Sequence, residues 1–277
     1  MSEIATINLA KPLLTNMHAS ACASNGALPS ASAYPQTLLD LPHGEARDSL
    51  LAVQKILSTE LRAPRLAIYE AGGGSTSFLP LGIWKRAHVT VVDIDADQIR
   101  NNDYAQEKIL ADIQTYRFAS NRFDLVICYN VIEHLPDASS ALLGFCESLK
   151  QGGLILIGAP NPKSLSGIVT KHTPHWFHVW FYRYVLGDKK AGLPGEAPFP
   201  TFFHPLVTPA NLDAFARDQG LEVVYRKNYE SPRFPEMRTR KPVFAGLLDA
   251  AAGVMNFLLL RKTDVRHGDY HVILRKR

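Results

Sequence analysis

Cysteine is scarce: Cys22, Cys128 and Cys146 are the only three in 277 residues. They form no CxxC pair and no metal-ligand spacing, which argues against a disulfide framework and a cysteine-based zinc site. Cys128 and Cys146 lie in apolar segments and read as small core residues. A dominant charge is lacking too. The 30 Lys plus Arg exceed the 26 Asp plus Glu by only +4, a balance that gives no reason to expect a nucleic-acid partner. The N-terminus has no basic start or apolar core of a secretory signal. With no Arg before Arg47 it also lacks the character of a mitochondrial presequence. A reducing, cytoplasmic setting is therefore expected. No internal repeat is present.

Hydrophobic residues make up 46% of the chain, ample for one large α/β domain and too short a chain for two ordinary ones with linkers. Residues 1–38 are rich in Ala, Ser, Asn and Pro and read as a flexible arm. The rest, 39–277, is expected to be a single domain with insertions at about 161–207 and 231–266.

Asp40 to Ser58 has apolar residues at helical spacing and is expected to cover a sheet. Short apolar runs then recur at 66–69, 89–92, 108–111, 123–128 and 154–157, the last introduced by a Gly152-Gly153 turn. Helical patterns such as Ser139 to Leu149 lie between them. Alternating strands and helices imply right-handed crossovers and a parallel sheet. Near-continuous Val, Ile and Leu in the strands fits burial on both faces. Two closing strands are expected at 221–225 and 270–274. Between 157 and these lies Thr208-Pro209, an N-cap and first helical position, with Gly220 as the stop.

Chemistry concentrates at the ends of the first three strands. Glu70-Ala71-Gly72-Gly73-Gly74-Ser75-Thr76 directly follows the first. Glycines there permit a tight turn and close approach of backbone to a ligand. The carboxylate of Glu70 can accept from an ammonium group. Asp93 ends the second strand, 23 residues beyond Glu70, where a carboxylate can accept both hydroxyls of a ribose. Asp112, after the third, can accept from an adenine amine. Each feature alone has a bland reading, a turn or a helix cap; their order and spacing together point to a nucleoside ligand. A dinucleotide is the rival. Its fingerprint wants a third small residue, and Ser77 stands there. Glu70 weighs against it, because a carboxylate repels a pyrophosphate and suits the cationic amino end of S-adenosylmethionine.

On these residues the chain resembles the class I, S-adenosylmethionine-dependent methyltransferases, in the small-molecule branch that includes the ubiquinone-biosynthesis type. The matching pieces are Tyr69 to Gly74, Val91 to Asp95, Ala111-Asp112-Ile113, Phe123 to Val126, Asn130 to Leu135 and Leu149 to Gly153. The resemblance implies a Rossmann-like, doubly wound, mostly parallel seven-stranded sheet with helices on both faces. An aromatic helical lid would be inserted after the fifth strand. It also implies that Glu70, Ala71, Gly72, Gly73 and Gly74 border the methionine end of the cofactor. Asp93 and Ile94 would hold the ribose, Asp112 and Ile113 the adenine, and Asn130 would sit beside the sulfonium. Thr76 departs from the pattern, where many relatives have a third Gly.

His134, a few residues past the fourth strand, is the candidate general base, with a native pKa in the useful range. Its other reading is a packed or capping histidine in the loop before Pro136. Glu133 is the second candidate base. For the acceptor, Thr173-Pro174 looks like a helix start followed by His175, Trp176, Phe177, His178, Trp180, Tyr182 and Tyr184. His175, Trp176, His178, Tyr182 and His204 are candidate acceptor contacts in an aromatic wall. The same segment also reads as a helix docked on the core. His172 precedes the cap and no carboxylate or Cys stands nearby, so no metal is expected.

Val243 to Leu260 is apolar apart from Asp249 and Asn256, with Arg238, Arg240 and Lys241 before it and Arg261 and Lys262 after. A span needs about 20 apolar residues, and Asp249 would sit in its middle. A lid helix, a homodimer helix or a helix lying on a membrane surface remain. Arg233 to Lys241 reads as a solvated basic loop. The expected activity is methyl transfer to a small-molecule acceptor, on oxygen, nitrogen or carbon. An inactive cofactor-binding module and an NAD(P)-dependent oxidoreductase are the alternatives. A nucleic-acid methyltransferase is disfavoured, since Asn130-Val131-Ile132-Glu133 stands where an Asn/Asp-Pro-Pro-aromatic motif is wanted.

Overall fold

Valine, isoleucine and leucine fill seven strands: β1 Leu66–Ala71, β2 Ala87–Asp93, β3 Glu107–Leu110, β4 Phe123–Tyr129, β5 Leu149–Pro160, β6 Leu221–Tyr229 and β7 Asp269–Lys276. The computed structural model describes residues 44–74, 77, 81–193, 198–259 and 264–277. The expected arm at 1–38 and Thr76 lie outside the described residues. Among them the strands form one sheet in the order β3-β2-β1-β4-β5-β7-β6. β1 to β5 are mutually parallel; β7 runs antiparallel between β5 and β6. The chain winds outward from β1 to β3, then returns to place β4 on the other side of β1. That reversal opens a crevice beyond the carboxyl ends of β1 and β4, where ligands of such sheets bind.

Helices cover both faces, as expected. On one face α1 (Glu45–Glu60) buries Val53 and Leu57 against Ile68, Val91, Leu125, Leu156 and Ile273. Its Ser49 hydroxyl meets Nδ1 of His271 in β7 at 2.8 Å, so a buried polar contact sets the helix's register on the sheet. On the opposite face α4 (Ala138–Ser148) and α7 (Pro209–Asp218) pack Leu142, Phe145, Leu212 and Phe215 against Val126, Ile155, Val272 and Leu274. Short helices α2 (Leu81–Trp84) and α3 (Ala96–Arg100) complete the β1–β2 and β2–β3 connections. Thr208 caps α7, its hydroxyl accepting from Asn211 N, with Pro209 at the first position; the helix ends at Asp218, two residues before Gly220.

The sequence expectations need four corrections here. β5 starts at Leu149, not after the glycine pair. Phe123 pairs with Leu149 and Leu125 with Leu154, so Lys150 to Gly153 bulge out of the ladder. Gly152 makes this bulge with φ +77, a backbone that L side chains rarely adopt. The second correction is an unexpected helix, α5 (Leu165–His172), capped by Ser164 and closed by Thr173. Thr173 therefore ends α5 instead of capping the next helix, α6 (His175–Trp180), whose N-cap position is Pro174. Third, the helical course of α6 changes to a π turn over Phe181–Val185. Fourth, the basic stretch 233–241 is not a solvated loop. It forms α8 (Arg233–Arg240), which leads straight into α9 (Pro242–Leu258). Arg238 explains why: its guanidinium bonds both Glu230 oxygens at 2.7 Å and both Asp249 oxygens at 2.7 and 2.9 Å. Among the described residues no helix is long and apolar enough to cross a membrane.

Candidate active site

Three carboxylates stand along the carboxyl edge of β1, β2 and β3. Glu70 is buried inside β1. The Tyr104 hydroxyl donates to its Oε2 at 2.6 Å, and the Ser77 hydroxyl donates to its Oε1. Burial pushes its carboxyl up to about 7 against those two hydrogen bonds. Asp93 closes β2, and each of its oxygens accepts a backbone N–H: Oδ1 from Asp95 at 2.8 Å, Oδ2 from Gly74 at 2.9 Å. Burial raises it to about 6, again opposed by those donors. Asp95 then caps α3 by accepting from Asp97 and Gln98 N–H. Asp112, half-buried past β3, accepts from the backbone N–H of Gln114 at 2.8 Å. Ile113 is buried beside it and Ile94 is exposed past Asp93.

Glycines shape the space between these groups. Gly72 has φ +68, and a Cβ there would lie 2.7 Å from both methyls of Val131. Only glycine lets the turn after β1 approach the loop after β4 so closely. At Gly73 a Cβ would fall 2.9 Å from Glu70 Cβ and 3.1 Å from the Tyr104 hydroxyl. Ala71 is buried beneath this turn. Asn102, wholly buried, donates to Gly74 O at 2.7 Å and holds the turn from the side. Asn130 has a left-handed backbone, φ 54, and its N–H donates to Gly158 O at 2.7 Å. The cradle thus pairs acidic acceptors with a backbone stripped of side chains. That combination fits a ligand with a cationic end and a ribose, and a Cβ at Gly72 or Gly73 would fill it.

Comparison with known proteins agrees. Residues 70–157 match the family model described as a methyltransferase domain. Residues 70–157 thus carry a methyltransferase domain, set in the fold of the class I, S-adenosylmethionine-dependent methyltransferases. It is 27% identical over 134 residues to a ubiquinone biosynthesis O-methyltransferase of Pseudomonas syringae pv. tomato. That match takes in 48% of this chain and 46% of the relative, so the chain spans about half the relative's length. Among solved structures, a magnesium protoporphyrin IX methyltransferase from Synechocystis PCC 6803 superposes with TM-score 0.50 and 12% identity, covering 96% of this chain and 93% of that one. A phosphoethanolamine N-methyltransferase from Haemonchus contortus gives TM-score 0.50 and 16% identity, over 83% of this chain and 52% of that one. At such identities these two likenesses concern the fold.

In the methyltransferase domain the loop after β4 carries both candidate bases, in a 3-10 turn over Ile132–His134. The backbone oxygen of Glu133 accepts from Phe202 and Phe203 N–H at 3.0 and 3.2 Å, which ties the loop to the end of the 161–207 insertion. His134 Nδ1 lies 2.7 Å from Pro200 O and must carry a proton to donate to it. Burial pushes the imidazole down to about 4, so it stays neutral at pH 7. Its Nε2 is 3.6 Å from Glu133 Oε1. Glu133 behaves in the opposite way. Burial, with a smaller push from the charge of Asp269, raises its carboxyl to about 8. Its Oε2 is buried and has no hydrogen-bond partner among the described residues. Such a group costs free energy unless a ligand satisfies it.

A second polar layer lies at the β4, β6 and β7 ends and had no signal in the sequence. His271 Nε2 meets the hydroxyls of Tyr129 at 2.8 Å and Tyr229 at 3.0 Å. Asp269 opens β7 opposite Pro160. Burial raises its carboxyl to about 6, and the charge of Arg233 opposes that. Arg233 donates to the Tyr182 hydroxyl and lies 4.9 Å from that ring's centre. These residues are far apart in sequence, and only the sheet order brings them together.

The five candidate acceptor contacts are not gathered into one wall. Tyr182 joins Arg233. His178 Nε2 lies 2.7 Å from the Thr173 hydroxyl. His204 caps the 3-10 turn Pro205–Val207, accepting from Leu206 N–H. His175 and Trp176 are exposed, with Trp176 at 68%. The insertion meets the loop after β4 through residues 199–203 instead. Phe199 presents its ring edge-on to His134 at 6.1 Å.

Proposed function

We propose that the chain transfers the methyl group of S-adenosylmethionine to a hydroxyl oxygen of a hydrophobic small molecule, with Glu133 as the proton acceptor. The observation that carries this reading is the orphaned, buried Oε2 of Glu133 in the loop beyond β4. When bound, S-adenosylmethionine supplies a methyl carbon already activated by its sulfonium, so alignment of the attacking atom is most of what the protein must provide, worth about 7–11 kcal/mol. Glu70 would hold the amino end, Asp93 the ribose hydroxyls and Asp112 the adenine amine.

The bases divide their work by environment. A base is most effective when its pKa lies near the working pH. Glu133, raised to about 8, meets that condition; His134, lowered to about 4, does not. Glu133 therefore takes the proton from the acceptor hydroxyl. His134, fixed by Pro200, packs its neutral ring beside the carboxyl, with Nε2 3.6 Å from Oε1, and helps keep Glu133 buried. Residues 199–203 close over this pair and exclude water. The likeness to a ubiquinone biosynthesis O-methyltransferase supports oxygen as the methylated atom.

The test is to incubate the purified chain with methyl-labelled S-adenosylmethionine and an extract of its host cells, then partition the products. Base-stable label, that of a methyl ether, is expected in the organic phase. Label confined to the aqueous phase would overturn the hydrophobic acceptor, and labelled amines would overturn the oxygen.

A further inference from the structure

Helix α9 is amphipathic in the inverse sense: its polar residues face the protein and its apolar residues face out. Asp249 turns inward to Arg238, and Asn256 bonds Asp264 Oδ1 at 2.8 Å and Val265 N–H at 2.9 Å. On the opposite side Val243, Leu247, Val254, Phe257 and Leu258 are each at least 60% exposed. Gly246, Ala250 and Gly253 lie exposed among them and add no polar atom. Scattered exposed apolar residues are ordinary, but a contiguous helical stripe of this kind marks a docking surface.

A second exposed row adjoins its start. Trp176, Trp180 and Tyr184 recur every fourth residue along α6 and the π turn, and all three are exposed. The Phe181 and Phe244 rings, 6.2 Å apart, and the Lys241 ammonium, 3.5 Å from Tyr184 O, join this row to α9. The surrounding charge is positive. Lys241, Lys189 and Lys190 are exposed here, and in sequence Arg261 and Lys262 follow the helix. The nearby carboxylates of Glu230, Asp249 and Glu236 are held in ion pairs with Arg238 and Arg240.

We propose that the outward face of α9 docks on an anionic lipid bilayer, lying in the headgroup region with the helix parallel to the surface. At 17 residues the helix is about 25 Å long, too short to span yet suited to lie at the interface. Tryptophan and tyrosine favour the same depth, and the basic rim favours anionic headgroups. A second copy of this chain fits less well. One helix face offers roughly 250 Å² by its length and width, against about 800 Å² per partner in a stable dimer, and two basic rims would repel. Docking here would bring the catalytic domain to the membrane, where a hydrophobic acceptor partitions. That consequence rests on the proposed acceptor; the docking itself does not.

The test uses the full chain with phosphatidylcholine vesicles, with and without phosphatidylglycerol, in a sedimentation assay. Binding to the anionic vesicles is expected. The double variant Leu247→Glu, Phe257→Glu should lose at least tenfold in that binding while S-adenosylhomocysteine affinity and melting temperature stay unchanged. Lys189→Gln with Lys241→Gln should weaken it by about fivefold per charge. An intact chain that binds neither vesicle overturns the proposal, as does binding that survives the double variant. So does light scattering that shows a dimer in the wild type and a monomer in the double variant. S-adenosylhomocysteine binding is read separately, so a failed docking test leaves the methyltransferase reading standing.

Discussion

The carboxyl edge of β1 to β3 and the excursion from β6 to β7 treat polarity in opposite ways. At the first, Glu70, Asp93 and Asn102 are buried, and backbone N–H groups or hydroxyls hold them in place. Apolar strands supply the frame and polar groups face the ligand space. In the second, α8 and α9 turn half-exposed ion pairs such as Arg238–Asp249 towards the body of the protein and Leu247 and Phe257 outward. Buried charge is tolerated in a fold where it meets a ligand or a partner. Exposed apolar surface is tolerated where something else covers it. The first region thus fits a small polar ligand, and the second carries the face proposed above to meet a lipid surface.

The largest effect expected at the ligand-facing end is on turnover. Glu133→Gln should lower it by about 10²–10⁴-fold, the usual range for a lost general base, with S-adenosylhomocysteine affinity intact. His134→Ala should lower turnover less and shift the pH profile, because losing the ring admits water to Glu133, whose raised carboxyl depends on burial. Turnover unaffected by either change would remove this pair from the mechanism. Next comes Asp93→Ala, which removes a charged acceptor of two ligand hydroxyls. At about 1.5–3 kcal/mol for each charge-assisted hydrogen bond, cofactor affinity should fall by roughly 100-fold or more. Calorimetric titration of the variant reads it.

A pH prediction follows from Glu70. Its carboxyl titrates near 7, and only the ionised form pairs with an ammonium group. Cofactor affinity should therefore fall by up to about tenfold from pH 8 to pH 6, and Glu70→Gln should flatten that dependence. The same shifts bear on stability. Glu70, Asp93, Glu133 and Asp269 all have carboxyls raised by burial, so the folded chain holds protons that the unfolded chain has released. Their contribution is fully present below the unfolded carboxylate range and is lost as pH rises through about 6 to 8. Melting temperature should accordingly be higher at pH 5.5 than at pH 8.5. The smallest effects belong to the β6–β7 excursion. Asp249→Ala should cost about 1 kcal/mol or less, as its ion pair is partly solvated. Leu247→Ser should change stability by less than about 0.5 kcal/mol. A large loss at Leu247 would mean that α9 packs its apolar face inward.

The same contrast decides what the sequence reveals. Glu70, Asp93 and Asp112 were legible because each lies at or just past the carboxyl end of its own strand, and the strands carry near-continuous apolar runs. Tyr104 and Asn102 were not, since neither has a local pattern that separates a ligand-site buttress from ordinary packing. His271, Asp269 and Arg233 were hidden for a topological reason: they come from the last third of the chain and reach β4 only because β7 inserts between β5 and β6. The apolar length of α9 was visible, but its orientation was not. Hydropathy gives a helix's composition, whereas the Arg238–Asp249 pair that turns the polar side inward is a tertiary contact. The histidines at 172, 175 and 178 fall on two helices, divided at the Thr173-Pro174 break that is visible in the sequence.

The most direct measurement is calorimetric titration of the wild-type chain with S-adenosylhomocysteine and, separately, with NADH. A cradle built on Glu70, Gly72 and Asp93 predicts one S-adenosylhomocysteine bound per chain and no heat from NADH. Binding of NADH with none of S-adenosylhomocysteine would contradict the cradle's assignment and every residue role drawn from it.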